Sequence, residues 1–139
     1  MTSKYTPDDR IIEGEEGKRR VAAALEKLGG GVITSRDDNL NDILFDHWRP
    51  GMPPGVDQWQ LPVRLDGPVF FFLSVVKPGA IVPSHEHKRS LFRVVVSGSI
   101  ILEDGRELKS GDWMYVPAGV PYSFRAGLNP GAIIYHCYG

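Results

Sequence analysis

The sequence predicts an all-β protein, built as a sandwich or a barrel. From residue 58 onward, short runs rich in Val, Ile, Phe, Tyr and Trp alternate with turn-forming glycines and prolines, a pattern typical of many short strands. Asp104-Gly105 separates two such runs and indicates a tight hairpin. We place strands at 59–65, 69–76, 80–87, 91–97, 99–104, 106–109, 112–116, 121–126 and 132–138.

The chain has 139 residues, which is enough for one domain with its own core. We divide it into an N-terminal extension, residues 1–57, and a β-barrel, residues 58–139. Within the extension, apolar residues recur at spacings of three and four and predict a helix over 17–28, which the glycines at 29–31 end. The four apolar positions are Val21, Ala24, Leu25 and Leu28.

Residues 35–57 form an irregular segment that we expect to wrap over the barrel, with a short turn or helix at 39–45. Three prolines and two glycines fall between residues 48 and 55, and such a composition excludes regular structure. His47 lies in this segment and is predicted at the surface.

Composition excludes several classes of function. The net charge is −1, so the chain lacks the positive excess of a nucleic-acid-binding surface. The longest apolar run, 69–73, is far shorter than the ~20 residues of a membrane helix. Cys137 is the single cysteine, which suits a reducing compartment. We therefore expect a cytoplasmic protein with neither a nucleic-acid nor a membrane partner.

His85 and His87 are the most informative residues. They are two apart in a predicted strand, so both imidazoles project from the same face. Neutral imidazole is the commonest protein ligand for transition metals. The pair therefore predicts the beginning of a metal site.

Two glycine-bounded segments surround this pair and carry a resemblance. The first follows the pattern Gly, five residues, His-x-His, then a closing Gly; the second follows Gly, five residues, Pro-x-Gly. On these motifs the chain resembles the cupin superfamily over residues 58–138. The matching positions are Gly79, His85, His87, Gly98, Gly111, Pro117 and Gly119.

The resemblance implies a jelly-roll barrel whose two motifs converge on a divalent metal, here Fe, Zn, Ni or Mn. Three positions depart from the family pattern: Leu91 replaces the usual Glu, Tyr122 the second-motif His, and Ala126 the Asn. Two imidazoles alone do not complete a coordination shell. The remaining ligands must come from Tyr122, another residue, water or substrate, or no metal binds. Gly98 is predicted to form a tight turn between two strands.

Three further residues are candidates for the site. His136 is an additional candidate ligand if its strand register turns it inward, in which case Cys137 points outward. Tyr122 has three open roles: metal ligand, hydrogen-bonding acid, or a side chain that fills the metal's place. Arg93 shares a strand face with Leu91 and either holds a substrate carboxylate or enolate or pairs with an internal Asp or Glu.

Three functions remain open at this point. The first is a metal-dependent enzyme of the dioxygenase or isomerase/cyclase type, with metal ligands among His85, His87, Tyr122 and His136 and with Tyr122 and Arg93 as catalytic residues. The second is a non-catalytic barrel that binds a small molecule without a functional metal site. The third is a metal-free enzyme that uses Tyr122 and His85 as an acid/base pair. The resemblance also implies a homodimer.

Overall fold

The computed structural model describes residues 15–29, 31–37, 40–64 and 69–138. These residues form two helices followed by eight strands: α1 (Glu15–Leu28), α2 (Leu40–Asp46), β1 (Val56–Gln60), β2 (Phe70–Val76), β3 (Ile81–His85), β4 (Leu91–Leu102), β5 (Glu107–Lys109), β6 (Trp113–Val116), β7 (Tyr122–Ala126) and β8 (Ala132–Tyr138). Neither of these two helices has the length and apolar character needed to cross a membrane.

The eight strands form one curled antiparallel sheet in the order β1-β2-β8-β4-β7-β3. Strand β4 belongs to both halves of the curl: its first half pairs with β6 and β8, and its second half pairs with β5 and β7. This topology confirms the prediction of an all-β jelly-roll barrel preceded by a helix.

Gly98 differs from its prediction, because it lies inside β4 and not in a turn between two strands. Its φ is +71°, and a Cβ atom at this position would overlap the carbonyl oxygen of Gly131. The pairing of β4 with β8 shifts register between Val95 and Ser97. The glycine therefore lets one long strand bend from one half of the barrel to the other.

Both helices reach β1: α2 contacts this strand, and the Gln60 side chain donates to the Gly17 carbonyl oxygen of α1 at 3.4 Å. Helix α1 contains the predicted helix and buries Val21 and Ala24. The irregular segment is joined to β1 by a bridge between Trp48 and Trp59. The first strand begins at Val56, two residues before the predicted start of the barrel.

His47 corrects another prediction, because it is buried and not at the surface. Its Nδ1 lies 3.2 Å from the carbonyl oxygen of Gln60. The attachment of the irregular segment to β1 covers this side chain, which the local composition did not indicate.

The barrel interior contains two apolar clusters and a polar group of side chains. Met114 and Tyr122 pack against both clusters, so the polar side chains around Tyr122 lie where the clusters meet. The first cluster contains Val56, Val76, Val82, Val95, Ile100, Phe124, Ala126, Ala132 and Ile134. The second contains Phe70, Phe72, Leu91, Val116 and Tyr138.

Candidate functional site

A cavity of ≈ 20 Å³ lies within the barrel, large enough for a water molecule or a single ion. Side chains from six strands and from the irregular segment enclose it. The lining residues are Met52, Val56, Gln58, Ser74, Val76, Val82, His85, His87, Arg93, Phe124, Ile134, His136 and Tyr138. Three histidines therefore line this one cavity: His85, His87 and His136.

His85 and His87 point into this cavity, while Glu86 between them is exposed. The Nδ1–H of His85 donates to the carbonyl oxygen of Pro83 at 2.7 Å, which leaves the Nε2 lone pair of a neutral ring directed inward. The two Nε2 atoms are 3.2 Å apart. Two lone pairs at this distance repel unless a proton or a cation lies between them.

Tyr122 completes the group from the neighbouring strand. It faces His85 across the β3–β7 pairing, and its hydroxyl oxygen lies 3.1 Å from His87 Nε2. Arg93 Nη1 donates to the same oxygen at 3.1 Å. The phenol proton is then directed toward His87, because the arginine already occupies an acceptor position on the oxygen.

Arg93 is buried beside this group, with its guanidinium 4.9 Å from the ring centroid of Phe124. Among the described residues no Asp or Glu pairs with it, so the predicted alternative of an internal ion pair is not found there. Its Nε has no hydrogen-bond partner in the described part of the chain. Leu91 shares the inward face, as the strand alternation predicted, and lies in the second apolar cluster.

His136 also points inward, since β8 alternates between buried and exposed positions. It is 3% exposed and stacks on Phe72 with ring centroids 5.0 Å apart. Burial, followed by the charges of Arg93 and Arg49, holds the pKa of His136 well below its ordinary value, so the ring is neutral at pH 7. Neither ring nitrogen has a partner among the described residues. Cys137 points the other way, and partial burial raises the pKa of its thiol.

Sequence reasoning missed several buried polar residues. Arg49 comes from the irregular segment, is fully buried, lies 4.8 Å from the ring centroid of Phe72 and donates to the Gln58 side chain. Gln58 in turn donates to Ser74 Oγ at 2.8 Å. The alternation of Gln58 and Gln60 around Trp59 could have indicated inward-facing amides. Nothing in the local sequence of Arg49 indicated that it would be buried.

The donor atoms of His85, His87 and Tyr122 fit a divalent metal. Ligands about 2.0–2.1 Å from one ion lie roughly 2.8–3.4 Å from each other in octahedral or tetrahedral geometry. The two observed donor–donor distances of 3.2 and 3.1 Å fall in this range. The backbone hydrogen bond on His85 Nδ1 is also the usual outer-shell support of a metal-binding histidine.

His136 does not join this group of donors. In the described ranges, no three side chains drawn from His, Cys, Asp and Glu come close enough together to hold one ion. A three-histidine centre is therefore absent from the described residues, and a third protein ligand for His85 and His87 would be the Tyr122 oxygen.

The fold and the motif region identify the class of this protein. Residues 72–133 match the family Cupin_2, the cupin domain, and this range contains His85, His87, Arg93 and Tyr122. This part of the jelly-roll barrel is therefore a cupin domain. No curated protein matches it in sequence.

Solved structures with the same fold have diverse names. KdgF from Halomonas sp. is 19% identical with a TM-score of 0.58, covering 79% of this chain and 92% of its own. A chain of the Rhodobacter sphaeroides complex of SigE with the anti-sigma ChrR is 19% identical with a TM-score of 0.59, covering 89% and 82%. The polyketide cyclase RemF from Streptomyces resistomycificus is 22% identical with a TM-score of 0.54, covering 63% and 68%. At these identities the likeness establishes the fold alone.

Proposed function

We propose that this cupin is a metal-dependent enzyme acting on a small molecule, with the metal held by His85, His87 and Tyr122. The observation that carries the proposal is that His87 Nε2 lies 3.2 Å from His85 Nε2 and 3.1 Å from the Tyr122 hydroxyl oxygen inside the barrel. Two imidazoles and a phenol oxygen suit Fe, Zn, Ni or Mn and leave coordination positions for water or substrate.

A bound metal would supply Lewis acidity or, if redox-active, activation of dioxygen. The protein's own side chains would do the rest. Arg93 holds the Tyr122 oxygen toward His87 through its Nη1 hydrogen bond, and the Tyr122 hydroxyl can give or take a proton at the edge of the cavity. The surrounding apolar clusters exclude bulk water, which strengthens these interactions.

The reaction class that we propose is dioxygenase or isomerase/cyclase chemistry. RemF shares the fold and is named a polyketide cyclase, which supports the cyclase branch by analogy only. A redox-active metal such as Fe would favour the dioxygenase branch, whereas Zn would favour the isomerase/cyclase branch.

A second candidate function is ligand binding without catalysis. The replacement of two family ligand positions by Leu91 and Tyr122 favours it. For either function the cavity of ≈ 20 Å³ is well below the usual ligand pocket of roughly 300–1,000 Å³. Met52, from the irregular segment, forms part of its wall. A larger substrate would have to displace that wall before reaching the histidines.

Metal content tests the proposal directly. Untagged protein is analysed by elemental mass spectrometry beside a His85→Ala/His87→Ala double variant, Tyr122→Phe and Tyr122→His, with His136→Gln as the matched control. We expect near-stoichiometric metal in the wild type, none in the double variant, and metal affinity lower by on the order of tenfold or more in Tyr122→Phe. Tyr122→His and the control should retain the metal.

Absence of metal after reconstitution with Fe, Zn, Ni and Mn would refute this proposal. Tyr122 and His85 would then remain as a metal-free acid/base pair, whose activity would survive chelators and be lost in Tyr122→Phe.

We also propose that the protein is a cytoplasmic homodimer, formed through the outer face of the sheet. This outer face carries no charged side chain at its outward positions on four adjacent strands. Its residues are Phe71, Leu73, Val75, Phe92, Val94, Val96, Trp113, Tyr115, Ile133, Tyr135 and Cys137. An uncharged face suits a second copy packed about a two-fold axis, because such packing needs no charge complementarity.

The area of the outer face supports this pairing. Its aromatic residues Phe92, Trp113, Tyr115 and Tyr135 are 39–62% exposed. At roughly 150–250 Å² for each aromatic side chain, they leave on the order of 400 Å² accessible. Together with the aliphatic residues, the outer face approaches the roughly 800 Å² per partner of a standard interface.

A further inference from the structure

We propose that Arg93 and His136 form a subsite for the carboxylate group of a small organic acid. This inference deepens the proposed function by naming the substrate class, but its geometry does not depend on a metal. It assigns to His136 a donor role in place of the ligand role expected from sequence.

The charge balance of the interior points to an anion. Arg93 is buried, and the described residues that line the cavity include no Asp or Glu. A buried cation without a counterion is costly. The contacts of Arg93 with the Tyr122 hydroxyl and the Phe124 ring reduce that cost but supply no full negative charge.

Two side chains that line the cavity carry buried polar atoms without a hydrogen-bond partner among the described residues. Arg93 Nε and both ring nitrogens of His136 are buried and have no partner among the described residues. The two residues face each other directly in the β4–β8 pairing, where opposite Cα atoms are about 4.5–5.5 Å apart. A neutral histidine offers one N–H, so each residue has one donor available for a shared acceptor.

A carboxylate matches this arrangement in charge and in its number of acceptor oxygens. One of its oxygens accepts from Arg93 Nε–H and the other from the His136 N–H, and its negative charge balances the guanidinium. A water molecule would accept the same hydrogen bonds but leave the charge uncompensated. The volume of ≈ 20 Å³ limits the occupant in this conformation to a group of a few atoms, so formate is the appropriate probe.

The location beside the histidine pair explains what the subsite would do. His85, His87, Arg93 and His136 line one cavity, so an acid held by its carboxylate would present its neighbouring carbon atoms to the donor group of His85, His87 and Tyr122. The proposed substrate is therefore a small carboxylic acid that reacts close to its carboxylate.

The test measures formate binding to metal-free protein, with chloride at equal ionic strength as the reference. Thermal unfolding and calorimetry are compared for the wild type, Arg93→Met, His136→Leu and, as the matched control, Arg125→Met, whose arginine lies on β7 and is exposed. We expect saturable stabilisation by formate in the wild type and in the control. His136→Leu, which has no donor in its side chain, should weaken binding about tenfold, as the loss of one charge-assisted hydrogen bond requires, and Arg93→Met should abolish it.

A measurement on the wild type alone does not depend on whether the variants fold. The Arg93 Nε–H resonance of ¹⁵N-labelled metal-free protein should shift with formate and not with chloride. No shift, or formate affinity unchanged in both cavity variants, would show that formate does not bind at Arg93 and His136 and would overturn the inference.

The two proposals fail separately. Formate binding to a chain that takes up no metal would uphold the subsite and refute the metal centre. Metal bound at His85 and His87 without formate binding to the metal-free protein would refute the subsite alone.

Discussion

Replacing His136 with Gln should flatten the dependence of stability on pH below neutrality. Burial, assisted by the charges of Arg93 and Arg49, holds the pKa of His136 well below its ordinary value. His87 and His85 act in the same direction, and no carboxylate among the described residues that line the cavity opposes them. As the pH falls, the His136 ring therefore binds a proton in the unfolded chain while it stays neutral in the folded protein.

The sign and the size of the effect follow from linkage. A histidine with a depressed native pKa contributes stability that is present above its unfolded pKa of about 6.5 and is lost as the pH falls. Between about pH 7.5 and pH 5.5 the protonated fraction of the unfolded ring rises from roughly one-tenth to nine-tenths, which costs the folded state about 1.4 kcal/mol. Glutamine does not titrate, so the variant should lack this contribution.

Urea unfolding of metal-free protein at several pH values, in buffers free of carboxylates, measures the difference. The free energy of unfolding should fall by about 1.4 kcal/mol more in the wild type than in His136→Gln over this pH range. Tyr135→Phe, altered at the adjacent and outward-facing position, serves as the control and should keep the wild-type slope. Equal slopes in the wild type and His136→Gln would refute the assignment of a buried neutral imidazole.

Two further predictions concern the fold and the outer face. Gly98→Ala should lower the free energy of unfolding in urea by several kcal/mol, because the new Cβ would overlap the Gly131 carbonyl at a positive φ. Gly105→Ala, with a positive φ but open space around its Cβ, should lower it by only about 1–2 kcal/mol. Equal losses of stability in the two variants would contradict the overlap. Trp113→Lys should convert a dimer, of twice the 15.4 kDa chain mass, into a monomer by light scattering, whereas Ile81→Lys, equally exposed at 62% but on β3, should remain dimeric. A wild type that is monomeric at all concentrations would exclude this interface.

The order of the elements was predictable because it depends on local patterns. Strand alternation placed β2 and β8 within one residue of their observed bounds. The glycine at 105 marked the β4–β5 hairpin, where it adopts a φ of +92°. Local patterns did not predict the role of Gly98, because a glycine with a positive φ is compatible with a bend within one strand as well as with a turn between two strands.

The candidate site was predictable where a motif carried it. His85, His87 and Tyr122 fall at family positions, and the structure brings them within hydrogen-bonding distance of one another. Arg49 could not have been found in this way, since it reaches the barrel only through the path of an irregular segment over β1.

The sequence by itself determined the fold class, the helix before the barrel and the two inward imidazoles, since periodicity and spacing act over a few residues. Only the tertiary structure decided what those imidazoles face. The β4–β8 register sets His136 opposite Arg93, and the β3–β7 register sets Tyr122 opposite His85. Pairing between strands far apart in the chain depends on the packing of the whole barrel, and a slip of one residue would turn each of these side chains outward.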